Sequence, residues 1–262
     1  MRIRRLVTLA ASVAALLLTS PAWAAVQSRV VDYVQDGVAL QGYLAWDDAG
    51  KGMRPGVLVV HEWWGHNDHA RRAADRLARA GYVAFALDMF GKGKLATHPE
   101  SAQAFVAEAT RDVDVARVRF QAARAQLEAH ERVDAARIGA IGYCFGGAVV
   151  LSMAKAGADL RAVGTFHAAL VAGKPTEPGK VRAKLLVQTG AADPMVPAEA
   201  VAAFEKDMAA AGASCRVIRY PGAVHSFTNP DADGRGMEGL RYDAAADRKS
   251  WAELLRFFRK EL

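Results

Sequence analysis

Short unbroken runs of apolar residues alternate along this chain with longer segments in which apolar residues recur at helical spacing. Residues 56–60, for example, are Gly-Val-Leu-Val-Val, and such a run is typical of a strand covered on both faces. The pattern predicts strands at 30–34, 38–46, 56–60, 82–87, 137–141, 162–166, 184–189 and 215–220. It predicts helices at 69–80, 100–130, 148–156, 198–211 and 242–262.

The order of these segments predicts an α/β fold. The first two strands flank Asp36-Gly37, a dipeptide typical of a tight antiparallel hairpin. The later strands alternate with helices, which favours a mostly parallel central sheet with helices on both faces. The helix at 100–130 is predicted from apolar residues that recur every seven positions, at Val106, Val113, Phe120 and Leu127. No repeat or linker divides residues 25–262, so we expect one domain.

Residues 1–24 have the organisation of a secretory leader. Three arginines precede an apolar run at 6–18, and Pro21 is followed by a small-x-small cleavage site at 22–24. The run is shorter than the roughly 20 residues of a spanning helix. We therefore expect export to a periplasmic or extracellular location, with no stable membrane anchor after cleavage.

The charge of the chain is too small to indicate a nucleic-acid partner. The formal net charge is +6, and cleavage of a leader that carries three arginines and no acidic residue would reduce it to +3. The basic residues of the remaining chain form no clustered stripe. A small-molecule partner is the better expectation.

In a parallel α/β sheet, ligands bind at the carboxyl ends of the strands. Catalytic side chains should therefore follow strands directly. Residues 142–147, Gly-Tyr-Cys-Phe-Gly-Gly, fit this rule, because they lie between the strand at 137–141 and the helix at 148–156. They match the G-x-S-x-G nucleophile elbow with cysteine in place of serine, which makes Cys144 a candidate nucleophile at a helix N-terminus that favours a thiolate.

Two further candidates follow later strands. Asp193 comes after the strand at 184–189 and could hold an imidazole in one tautomer. His225 comes after the strand at 215–220 and is a candidate general base. The order of nucleophile, acid and base along the chain is that of an elbow-type hydrolase.

The segment after the strand at 56–60 is His61-Glu62-Trp63-Trp64-Gly65. In such folds this position supplies the second donor of the oxyanion hole. We expect the backbone N–H of Trp63 to pair with that of Phe145, and Glu62 to point toward the nucleophile. Three aromatic residues near these loops, Trp64, Phe90 and Phe227, are candidates for the wall of an apolar substrate pocket.

Taken together, these motifs resemble the dienelactone hydrolase family of the α/β-hydrolase superfamily. The matching segments, which span most of the chain after the leader, are His61-Glu62 with Gly65, Asp88, residues 142–147, Asp193 with Val196-Pro197, and residues 221–227. The resemblance implies an α/β-hydrolase fold and a triad of Cys144, His225 and Asp193. It also implies that Glu62 contacts Cys144 until substrate binding allows the thiolate to pair with His225.

The chain departs from the family where members that act on chlorocatechol-derived lactones hold the substrate carboxylate with arginines. The loop after Asp88 contains only Lys92 and Lys94, and Thr228-Asn229-Pro230 follows the His-Ser-Phe segment. Lysine does not reproduce the bidentate fork of arginine. We expect hydrolysis of a carboxylic ester or lactone through a thioester acyl-enzyme, without a metal or an organic cofactor.

Two other interpretations remain open. The segment 61–69 is rich in histidine and would suit a metal-dependent hydrolase, but Gly65 occupies the position where H-E-x-x-H needs its second histidine. A non-catalytic, redox or binding protein on the same fold would be favoured by a Cys144–Cys215 disulfide. We expect both thiols to be free, because the two cysteines belong to opposite ends of parallel strands.

Overall fold

The computed structural model describes residues 26–49, 51–170 and 173–262, so the predicted leader at 1–24 lies outside the described residues. The strands are β1 Val26–Gln35, β2 Val38–Asp47, β3 Arg54–Val60, β4 Val83–Leu87, β5 Val133–Tyr143, β6 Ala162–Phe166, β7 Lys184–Gly190 and β8 Cys215–Tyr220. The helices are α1 Asp68–Arg79, α2 Pro99–Thr110, α3 Val113–Glu128, α4 Phe145–Lys155, α5 Ala198–Ala210 and α6 Ala244–Glu261. A 3₁₀ turn covers Asp233–Arg235.

The strands form one eight-stranded sheet in the order β1-β2-β4-β3-β5-β6-β7-β8. The β1–β2 and β2–β4 pairs are antiparallel, and every later pair from β4 to β8 is parallel. The hairpin turns at Asp36 and Gly37, which both have positive φ, as a two-residue turn of this twist requires. The predicted fold, a mostly parallel α/β sheet with helices on both faces, is confirmed.

The helices cover the two faces of the sheet with separate apolar cores. The larger core joins β3 and β4 to residues of four helices, namely Ala109 of α2, Phe120 of α3, Val149 of α4 and Met208 of α5. The core on the opposite face is built on α1 and α6, with Leu77, Leu254 and Phe258 fully buried. The central strands are covered on both sides, which explains why they are unbroken apolar runs.

The prediction of a single helix at 100–130 is wrong, because the structure has two helices there, α2 and α3. Asp112 adopts an extended conformation between α2 and α3, and its carboxylate accepts a hydrogen bond from the backbone N–H of Asp114. Asp112 is thus the N-cap of a new helix. Phe120 and Leu127 are buried in the larger core, whereas the side chain of Val113 lies outside the described residues.

This topology brings the carboxyl ends of the parallel strands to one edge of the sheet. His61 follows β3, Asp88 follows β4, and Cys144 follows β5. Further along the same edge, His167 directly follows β6, and the loops after β7 and β8 carry Asp193 and His225. No helix among the described residues is long and apolar enough to cross a membrane.

Candidate active site

Cys144 lies at a sharp turn between β5 and α4. Its backbone has φ 51° and ψ −114°, a conformation that places a non-glycine residue in the sparsely populated positive-φ region. Two glycines make the turn possible. A Cβ on Gly142 would lie 2.1 Å from the carbonyl oxygen of Gly146, and one on Gly146 would lie 2.3 Å from that of Val60. The thiol is half-buried and forms no disulfide.

His225 and Asp193 are hydrogen-bonded to each other although they follow different strands. Nδ1 of His225 lies 2.8 Å from Oδ2 of Asp193, and both side chains are buried. The other carboxylate oxygen, Oδ1, accepts a hydrogen bond from the backbone N–H of Met195 at 2.8 Å. The carboxylate is thus oriented on both sides and holds the proton of the imidazole on Nδ1.

The second ring nitrogen of His225, Nε2, is not bonded to Asp193 and can interact with the thiol of Cys144. Burial opposes a charge on this ring, but the interaction with Cys144 and the hydrogen bond to Asp193 outweigh it and raise the pKa of His225 to about 10. Nε2 is buried and has no hydrogen-bond partner of normal geometry among the described residues. The ring can therefore exchange a proton through Nε2 alone.

Glu62 is brought to the site, but its carboxylate faces the loop after His225. Oε1 accepts a hydrogen bond from the hydroxyl of Ser226 at 2.7 Å, and Oε2 accepts one from the amide of Asn229 at 2.6 Å. Within the part of the chain that the structure describes, no hydrogen bond joins Glu62 to Cys144. The expected contact between Glu62 and the resting thiol stays a prediction, and the carboxylate oxygens of Glu62 have Ser226 and Asn229 as their hydrogen-bond donors.

The backbone donors predicted for the oxyanion hole are available. The N–H groups of Phe145 and Trp63 make no hydrogen bond to any other described residue. Phe145 is the first residue of α4, where backbone N–H groups point out of the helix and the helix dipole favours negative charge.

The three aromatic residues predicted to line the pocket are packed into cores instead. Trp64 and Phe90 are 2% and 1% exposed, and Phe227 is fully buried. The ring of Phe90 contacts those of His61 and Phe145, with centroid distances of 4.7 and 5.3 Å. Their predicted role as pocket wall is not supported, because side chains this deeply buried present almost no surface to a ligand.

Two of the three histidines of segment 61–69, His61 and His69, make hydrogen bonds to nearby backbone groups. Nδ1 of His61 contacts the carbonyl oxygen of Glu62 at 2.5 Å, and Nε2 accepts from the backbone N–H of Met89 at 3.1 Å. Burial also lowers the pKa of His61, which keeps the ring neutral. Nε2 of His69 lies 3.2 Å from the carbonyl oxygen of Thr228. The described residues contain no group of three His, Cys, Asp or Glu side chains arranged to hold a metal ion.

His167 belongs to the site environment, although the sequence analysis assigned it no part there. Its ring meets that of His225 edge to face, with centroids 5.1 Å apart, and its Nε2 lies 2.9 Å from the hydroxyl of Thr228. Burial, followed by repulsion from His225, keeps the pKa of His167 well below its ordinary value. The sequence contained a signal for this placement, because His167 directly follows β6 and residues at the carboxyl ends of the parallel strands meet at the same edge of the sheet.

Comparison with known proteins agrees with this geometry. The model of the dienelactone hydrolase family matches residues 40–262. The chain belongs to the dienelactone hydrolase family. A protein of Methylorubrum extorquens named "Putative carboxymethylenebutenolidase" is 30% identical over 237 residues, which cover 87% of this chain and 78% of that protein.

Solved structures extend the comparison. The crystal structure of a dienelactone hydrolase-like promiscuous phosphotriesterase from metagenomic libraries is 37% identical, with a TM-score of 0.86 over 90% of this chain and 99% of that one. A cold-adapted esterase from an Arctic intertidal metagenomic library has a TM-score of 0.69 over 90% of this chain and 94% of its own, and at 16% identity it shows the shared fold alone. This member of the dienelactone hydrolase family is thus an enzyme of the ester and lactone hydrolase class.

Proposed function

We propose that this dienelactone hydrolase family member cleaves carboxylic esters with Cys144 as the nucleophile, His225 as the proton carrier and Asp193 as the residue that orients His225. The observation that carries this proposal is the 2.8 Å hydrogen bond between Nδ1 of His225 and Asp193, formed beside a half-buried thiol on a strained elbow. This arrangement leaves Nε2 of His225 as the only ring position for proton transfer.

In the first half of the reaction, the Cys144 thiolate attacks the ester carbonyl and a C–S bond forms. The N–H groups of Phe145 and Trp63 stabilise the oxyanion of the tetrahedral intermediate. The intermediate collapses with cleavage of the C–O bond. Protonated His225 gives its Nε2 proton to the departing alkoxide, and a thioester acyl-enzyme remains.

In the second half, water replaces the alcohol as the reacting group. Neutral His225 accepts a proton from the water at Nε2 while the oxygen attacks the thioester carbonyl. The same backbone N–H groups stabilise the second oxyanion. The C–S bond then breaks, the carboxylic acid leaves, and the thiolate and imidazolium pair is restored.

The loop chemistry favours an uncharged ester over a carboxylate-bearing lactone. Nζ of Lys92 lies 2.6 Å from Asp32, and Nζ of Lys94 lies 2.6 Å from Glu108. Both lysines that occupy the expected position of an arginine clamp are therefore paired with acidic side chains. A substrate carboxylate would have to displace these partners, which an ester without a charge does not require.

We also propose that the protein is exported, on the basis of its leader-like residues 1–24. Expression of the full chain in a Gram-negative host, followed by fractionation and N-terminal sequencing, tests this proposal. We expect a periplasmic product that begins at or near Ala25. A full-length product that stays in the cytoplasm would contradict it.

The catalytic proposal is tested by removing the thiol. We expect Cys144→Ala to reduce hydrolysis of p-nitrophenyl acetate to background while the circular dichroism spectrum stays unchanged. The matched control is Cys215→Ala, at the other free cysteine, which should retain full activity. Rapid mixing of the native enzyme with the ester, followed by mass spectrometry, should detect one acetyl group on Cys144. Normal turnover by Cys144→Ala would reject the proposal.

A further inference from the structure

An apolar groove runs along α4, from Phe145, the residue that follows the nucleophile in the chain, to Lys155. Its volume is about 450 Å³, within the range of small-molecule sites. The residues nearest Cys144 that line it are Phe145 and Ala148 of α4 and Ala169, whose backbone N–H donates to the carbonyl oxygen of Cys144 at 3.2 Å. Two residues that line the groove are thus joined directly to Cys144, Phe145 through the peptide bond and Ala169 through this hydrogen bond.

The side chains that line the groove are mostly apolar, which suits a hydrocarbon ligand. Apolar side chains of α3, α4, α5 and the segment after β6 line the groove, among them Ala116, Phe145, Ala148, Val149, Leu170 and Phe204. Charged side chains that also line the groove are those of Asp112, Lys155 and Lys174. Lys155, at the carboxyl end of α4, is already paired with Asp207 at 2.8 Å. Because Phe145, Ala148 and Val149 lie in the first turns of α4, a ligand that enters at the N-terminus of this helix meets apolar side chains first.

We propose that this groove is the acyl-binding subsite and that the enzyme prefers esters with an unbranched apolar acyl chain of medium length. The inference rests on the proposed function, because it takes the acyl carbonyl to be held at Cys144. From there the chain extends over Ala148 and Val149 toward Ser152. Ser152 lies seven positions after Phe145, which is about 10 Å along the helix axis. Short acyl groups end before Ser152, and longer ones reach it.

The first test is the chain-length dependence of kcat/KM for p-nitrophenyl esters from acetate to octanoate. Burial of one methylene contributes about 0.8 kcal/mol, which corresponds to a rise of about fourfold in kcat/KM for each CH₂ that enters the groove. We expect kcat/KM to rise over the whole series from acetate to octanoate, because an extended octanoyl chain is still slightly shorter than the distance to Ser152. Equal values across the series would overturn the inference.

The second test fills the far half of the groove. Ser152 is exposed and lines it, so Ser152→Trp adds a large side chain without disturbing the core. We expect the ratio of octanoate to acetate kcat/KM to fall about tenfold or more. The matched control is Ala125→Trp on the exposed face of α3, away from the groove, which should leave both values unchanged.

The outcomes separate this inference from the proposed function. A wild-type enzyme that hydrolyses no ester contradicts the catalytic proposal itself. A wild-type enzyme that cleaves acetate but shows the same octanoate-to-acetate ratio in Ser152→Trp contradicts only the acyl subsite. If Ser152→Trp leaves that ratio unchanged and converts a dimer to a monomer in size-exclusion chromatography, the groove is an interface between copies of the chain, and the inference is overturned.

Discussion

The carboxylate of Glu62 accepts a 2.7 Å hydrogen bond from the hydroxyl of Ser226, the residue that directly follows His225. Ser226 has a φ of 54°, in the left-handed region that a serine rarely adopts. Asn229, three residues further on, donates to the second oxygen of the same carboxylate. Glu62 therefore anchors the strained loop that presents His225, and it acts on the imidazole through the position of this loop.

Replacement of Glu62 tests that relationship. In Glu62→Ala, the hydroxyl of Ser226 and the amide of Asn229 lose their buried acceptor, so we expect the free energy of unfolding to fall by about 3 kcal/mol. Activity should fall as well, because the His225 loop is released. Urea denaturation and esterase assays measure the two effects. Glu131→Ala, at an exposed glutamate, should change stability by less than about 0.5 kcal/mol.

Asp193→Asn should lower activity without unfolding the protein. An asparagine at this position can present an N–H to Nδ1 and so favour the wrong tautomer of His225, in which Nε2 carries the proton and cannot accept one. We expect kcat to fall by a factor on the order of 10³ to 10⁴. Asp159→Asn, at a carboxylate that is 82% exposed, is the matched control and should be fully active. Comparable activity of the two variants would argue against Asp193 as the orienting group.

The raised pKa of His225 predicts a pH dependence of stability. The folded protein holds this proton up to about pH 10, whereas an unfolded histidine loses it near pH 6.5. The stabilisation is therefore complete below about pH 6.5 and is lost as the pH rises toward 10. We expect urea denaturation between pH 7 and pH 10 to show a decreasing free energy of unfolding. Cys144→Ser, which lacks the ionisable sulfur, should show a shallower decrease, and identical slopes would contradict the pairing.

Gly146→Ala should disrupt the elbow. The added Cβ would lie 2.3 Å from the carbonyl oxygen of Val60 and 2.5 Å from that of His61. Since backbone cannot move aside easily, we expect a loss of about 3 kcal/mol in stability and a loss of esterase activity. Gly234→Ala is the control, because no atom lies within 4 Å of its Cβ position. Thermal melting and activity assays distinguish the two variants.

The two cysteines should differ in their reaction with iodoacetamide. Burial, followed by the negative charge of Glu205, raises the pKa of Cys215 to about 11, so its thiolate is scarce near neutral pH. We expect one carbamidomethyl group on the native protein at pH 7.5, on Cys144, and two after denaturation without reductant. Peptide mass spectrometry identifies the sites. Preferential modification of Cys215 in the native state would contradict this assignment.

The local pattern of apolar and polar residues predicted most of the strands and the hairpin turn. Unbroken apolar runs marked the central strands because these strands are covered on both faces, and Asp36-Gly37 marked the hairpin because its residues tolerate positive φ. The sequence also contained a signal, not used in the prediction, for the break between α2 and α3. Asp112 is a residue type that favours an N-cap, but the heptad of apolar residues suggested one continuous helix.

Apart from the break between α2 and α3, the sequence by itself determined the order of strands and helices and which polar residues follow strand ends, since both depend on neighbours along the chain. Tertiary structure alone decided the partners of Glu62, because the carboxylate and the Ser226 hydroxyl are 164 positions apart and meet only through the order and register of the sheet. It also decided that Phe90 and Phe227 are enclosed while the groove runs along α4. Burial of an aromatic ring depends on what packs against it from distant segments, and a single sequence does not contain that information locally.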